Sequence, residues 1–187
     1  MKTYVITLSR KFPKGHRKEG EPTFFKEKFM FGQQCQFCPP KDRDTNYPEC
    51  DECLKHCEPI KLHTIRANYD LWVKRFEQIE RGEACISVRQ WTDKPYRSPQ
   101  VEIARLTKEH GIGIQKLEFA GTLNCLTIDG EYSIADLNRL AANDGLLFED
   151  WESWFKAYNL SKPMAIIHFT KFRYEQKSLR ELRILQF

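Results

Sequence analysis

A chain of 187 residues that is 41% apolar and 30% charged can bury one substantial core, and its composition is that of a globular domain rather than of a disordered or membrane-spanning chain. The formal net charge is +4, and no apolar run approaches the roughly 18 residues of a membrane helix, nor does the N-terminus carry a signal-type apolar stretch. The expectation is therefore a single intracellular, cytoplasmic domain spanning 1–187.

The first element in chain order is a strand over 3–8, where Thr, Tyr, Val, Ile, Thr and Leu give β-branched and aromatic content. A Lys/Arg/Gly-rich loop follows over 10–20. Pro22 suits the first turn of a short helix carrying Phe24, Phe25 and Phe29, which Gly32 can end. Residues 33–60 break all periodicity and read as an insertion. Asn68 then caps a helix in which Leu71, Trp72, Phe76 and Ile79 recur at helical spacing, ending at Gly82. Ala84 to Arg89 alternates as a strand, and so does Val101 to Leu106, with Glu102, Ala104 and Leu106 placed on one face. Strands are also predicted over 114–119 and 123–128 with a turn at Gly121, helices from Ser133 through Leu140 and over 147–158, and a buried strand over 164–170. Trp151, Trp154 and Phe155 have the spacing of a packing face. This order implies an α+β fold with a barrel-like sheet.

Charge is distributed unevenly. Residues 1–28 carry eight bases against three acids and residues 61–108 ten against six, whereas residues 109–170 carry four against nine. If the two basic segments pack side by side, one face attracts phosphates.

Five of the seven cysteines crowd into the 23 positions from 35 to 57. Cys35 and Cys38, then Cys50 and Cys53, form two C-x2-C knuckles, which supply four soft ligands for a closed tetrahedral zinc site. Cys57 can replace Cys53 as the fourth ligand, and the spacing does not choose between them. Because the closed ligand set leaves no open position, the expected zinc is structural, ordering a segment rich in proline and charge. Cys85 and Cys125 stand alone in apolar runs and read as core.

Directly after this cluster, Lys61, Thr64 and Arg66 place an amine, a hydroxyl and a guanidinium within six residues. An activated threonine needs a base, and a desolvated lysine with a positive neighbour can serve. Glu102, sharing a face with Ala104 and Leu106, is the carboxylate expected to turn inward beside them. An ordinary solvated edge strand accounts for the same spacing. The string Lys61-x-x-Thr64-Ile-Arg66, followed by a helix, a Gly82-led strand, Val101-Glu102-Ile103 and a last strand Ala165-Ile-Ile-His-Phe, resembles the ASCH family of the PUA-like superfamily. Within it the chain is most similar to small amidohydrolases that deacylate acetylcytidine. The resemblance implies a small β-barrel flanked by helices, here with an inserted zinc knuckle, and implies catalytic roles for Lys61, Thr64 and Glu102. Many members of the superfamily bind RNA or nucleotides without catalysis.

Trp91, Lys94, Tyr96 and Arg97 interleave aromatics with bases in one loop, a composition suited to stacking on a nucleobase while pairing its phosphate, and Arg89 precedes that loop. His63 and His168 sit in apolar strand contexts, and His168 reads as a structural histidine. Three functions follow: RNA or nucleoside binding in a basic cleft, deacylation of an acylated cytidine-type base, or a protein-interaction adaptor whose contact surface is the zinc insertion.

Overall fold

A computed structural model of the protein describes residues 1–33, 60–123, 125–132 and 137–174. The fold is α+β, and its described strands form two sheets rather than one closed barrel. The first sheet has the order β1-β3-β4, from β1 (Lys2–Thr7), β3 (Ala84–Trp91) and β4 (Gln100–Leu106); the second has the order β2-β8-β5-β6-β7, from β2 (His63–Ala67), β5 (Gly113–Phe119), β6 (Leu126–Ile128), β7 (Glu131–Tyr132) and β8 (Met164–His168). β1 runs parallel to β3, and the other pairings are antiparallel. The α-helices among the described residues are α1 (Phe25–Gln33), α2 (Tyr69–Glu80), α3 (Leu137–Asn143) and α4 (Phe148–Phe155).

Helix α2 follows its sequence signals closely. Asn68 adopts φ 64° and accepts from the Leu71 amide, and Trp72, Phe76 and Ile79 are buried at helical spacing. Leu71 is 40% exposed and lies off that stripe. These side chains join Ile6, Leu8, Ile86, Val88 and Leu106 of the first sheet and Leu117, Met164 and Ile166 of the second in one continuous core. Burying each large side chain contributes roughly 1.5–3 kcal/mol. Trp151 and Phe155 of α4 lie in that core, as does Cys85, while Trp154 is half-buried against it.

Helix α1 departs from its sequence reading at both ends. Phe24, at φ 56° and 57% exposed, stands before the first turn, where the Thr23 hydroxyl accepts from the Phe25 amide. Gly32 does not end the helix but lies inside its last turn. A Cβ there would stand 3.0 Å from the Lys61 carbonyl oxygen, so the glycine permits close approach rather than a stop. The Lys61 amide donates to the Lys28 carbonyl, and the chain that leaves α1 at Gln33 therefore returns against the same helix. Residues 34–59, with the zinc ligands expected at Cys35, Cys38, Cys50, Cys53 or Cys57, lie outside the described residues, and so does the cap expected at Ser133.

Candidate functional site

Lys61 is the organising side chain. It is 2% exposed, yet its ammonium lies 2.5 Å from both the carbonyl oxygen and Oδ1 of Asp144 and 4.2 Å from the centre of the Phe25 ring. Asp144 arrives from the turn after α3, where Gly145 adopts φ 82° and a Cβ added to it would stand 3.3 Å from the Lys61 Cβ. Burial pulls the lysine down from its ordinary value and pushes the aspartate up from its own, while each partner opposes the other's shift. A desolvated pair of this kind is costly in isolation and persists here through several contacts at once.

Lys61, Thr64, Arg66 and Asp144 line one cavity together with Thr7, Ser9, Phe25 and Trp154. Its volume is about 40 Å³, room for two or three waters or an acyl-sized group but not for a nucleoside. Thr64 is 4% exposed, buried at the wall of this cavity. Arg66 donates from Nη2 to the Thr7 carbonyl at 2.9 Å, with burial drawing its guanidinium below the usual value.

Glu102 sits elsewhere. The register of β3 with β4 slips between Val88 and Arg89, so Val88 faces Ala104 while Arg89 faces Glu102, one residue earlier than strict alternation gives. This bulge turns Glu102 away from the face of Ala104 and Leu106 and onto that of Ser87 and Arg105. There its carboxylate accepts a short bond from the Ser87 hydroxyl and pairs with Arg105 at 3.0 Å and with Arg89 at 3.9 Å. The Ser87 and Arg105 hydrogen bonds hold it below the ordinary carboxylate value. The inward turn expected of Glu102 is therefore corrected, and Asp144 is the carboxylate that reaches Lys61.

The Trp91 to Arg97 segment forms the tip of the β3–β4 hairpin. Tyr96 is 90% exposed at φ 62°, with its ring 5.3 Å from that of Trp91, and Lys94 and Arg97 are exposed. Arg89 is committed to Ser87 and Glu102 on the stem. Two side-chain contacts reinforce the β1–β3 pairing near the hairpin tip: the Arg10 guanidinium donates to the Thr92 carbonyl, and Gln100 donates to the Thr7 hydroxyl. The Leu8 amide donates to the Arg89 carbonyl beneath them. Thr7 thus touches Arg66 of the cavity through its carbonyl and the hairpin base through its hydroxyl.

Sequence reasoning missed Asp144, Phe25, Thr7 and Arg10. The available signal for Asp144 was a carboxylate beside glycine, Asn143-Asp144-Gly145, closing a short helix inside an apolar run. No protein-family model, no curated protein and no solved structure matches the chain.

Proposed function

We propose that the protein binds RNA or a modified nucleoside or nucleotide on the basic face where the end of β1 meets the tip of the β3–β4 hairpin, as an ASCH-type, PUA-like domain. The observation that carries this reading is the junction of the two basic segments: Arg10 is bonded to Thr92, within the same hairpin tip that exposes Lys94, Tyr96 and Arg97. Exposed cations beside an exposed aromatic suit an unpaired nucleotide, whose phosphate seeks charge and whose base seeks a π-face. Arg66, bonded to Thr7 at the edge of this face, borders the cavity and supplies a further cation. Zinc held by the Cys35–Cys57 segment orders the chain that leads into Lys61, and the donor chemistry of four thiolates fits that metal. Affinity for a fluorescent single-stranded oligoribonucleotide tests the reading. Tyr96→Ala is expected to cost about 1–3 kcal/mol, and the Arg10→Ala/Lys94→Ala/Arg97→Ala variant more; wild-type affinity in both variants refutes it.

A second reading has its own observation, the buried Thr64 in the same cavity as a lysine lowered by burial. In it Thr64 is the nucleophile toward an acylated cytidine-type base, Lys61 its proton acceptor, and Asp144 takes the catalytic place expected of Glu102. The acyl group fits the cavity and the base stays outside it. Release of acetate from acetylcytidine, abolished by Lys61→Ala, tests this reading; release that survives the substitution removes Lys61 from the chemistry.

A further inference from the structure

His63 and His168 are directly opposite one another in the antiparallel β2–β8 pair, both 0% exposed, with ring centres 5.6 Å apart. His63 Nε2 shares a 2.8 Å hydrogen bond with the Tyr174 hydroxyl, which also accepts from Asn143 Nδ2 at 3.0 Å. Beyond these, His63 Nδ1, both nitrogens of His168, Asn143 Oδ1 and Arg139 Nε are buried without a partner among the described residues. Two imidazoles therefore sit in an interior that does not supply the acceptors an imidazolium requires.

The surrounding charge has the same consequence. Among the described residues, the titratable or charged groups around the pair are Lys61 just before β2, Arg139 of α3, Asp144 just after α3, and Arg173 with Tyr174 after β8; β5 presents only Gly113 opposite His168. Asp144, the one carboxylate among them, is taken by Lys61. Burial first, then His168 and Lys61 for His63 and Arg173 for His168, holds both imidazoles well below the ordinary histidine value. Among the described strands β2 is moreover an edge strand, paired with β8 alone, so its release leaves the other pairings of that sheet intact.

We propose that the His63–His168 pair is an acid-sensitive latch that fastens β2, with Lys61, Thr64 and Arg66, to β8 and releases that strand when either imidazole takes a proton from solvent. The latch stands independently of what the basic face binds. For a histidine lowered in the fold, stability is fully present above the unfolded value near 6.5 and is lost as pH falls through it. Each imidazole kept neutral weakens folding about thirtyfold by pH 5 relative to pH 8, for an unfolded value near 6.5.

The test is denaturant unfolding of the full chain between pH 8 and pH 5, comparing wild type with His168→Phe, which removes a side chain that makes no hydrogen bond. The variant is expected to lose about thirtyfold less of its folding equilibrium over that range; an acid dependence equal to that of wild type overturns the proposal. Hydrogen exchange on the wild-type protein, corrected for intrinsic rates, is independent of whether the variant folds. Amides of β2 are expected to lose protection at a higher pH than those of β5. Loss of both strands together, or retention of β2 down to pH 5, also overturns it.

Discussion

Lys61 and Asp144 are joined both through an isolated antiparallel bridge between their backbones and through the lysine side chain, whose Nζ donates to Oδ1 and to the carbonyl oxygen of Asp144 at 2.5 Å each. The double attachment fixes the start of β2 to the turn after α3, and the neighbouring Phe25 ring ties α1 to the same point. Three elements distant in sequence thereby meet at one buried cation.

Removing only one partner of this pair leaves a buried charge without compensation. Lys61→Met is expected to cost about 3–5 kcal/mol, and Lys61→Met/Asp144→Leu distinctly less than the sum of its parts. The deficit of the single variant grows as pH rises, because a carboxyl raised by burial contributes its stability at low pH and loses it on ionising. Denaturant unfolding at pH 5 and pH 8, corrected for the wild-type change, measures both effects.

If acetate release is found, the two carboxylates separate the mechanisms. Asp144→Asn is expected to lower the rate at least a hundredfold, because it alters the group that touches Lys61. Glu102→Gln leaves the rate within a few-fold, since its carboxylate is engaged by Ser87 and Arg105 on the other face of its sheet.

Gly32→Ala sets helix propensity against sterics. Alanine in a helix interior gains about 1 kcal/mol over glycine, but its Cβ meets the Lys61 carbonyl at 3.0 Å and Leu62 at 3.3 Å. Overpacking against backbone costs about 1–3 kcal/mol, so the expected net change is a destabilisation, measured as a lower denaturant midpoint.

Zinc analysis of protein purified under reducing conditions is expected to return one equivalent per chain, and Cys50→Ser to release it. Because structural zinc contributes on the order of 10 kcal/mol to local folding, chelation is also expected to increase proteolysis within 33–60.

Sequence periodicity located most of the described elements, because Trp72, Phe76 and Ile79, or the apolar run from Met164 to Ile167, carry their burial in their spacing. The strip Lys61, Thr64 and Arg66 was legible for a similar reason, as three chemical groups placed close in sequence. What failed to show was long-range. Glu102 was misplaced because a bulge is set by pairing with β3 and leaves alternation within β4 unmarked. Asp144 was not paired with Lys61 because the two lie 83 positions apart. The two-residue strand β7 and the short 3-10 turn Lys108–His110 are too brief for any period to register.

The central claim, that a basic face joins two segments into an RNA-binding surface, is tested most directly by the salt dependence of oligoribonucleotide binding to the wild-type protein. Arg10, Arg66, Lys94 and Arg97 each neutralising a phosphate predicts a slope of log K against log salt of about −3, at about −0.7 per contact. Affinity that does not change with salt, or no binding at low salt, contradicts the account.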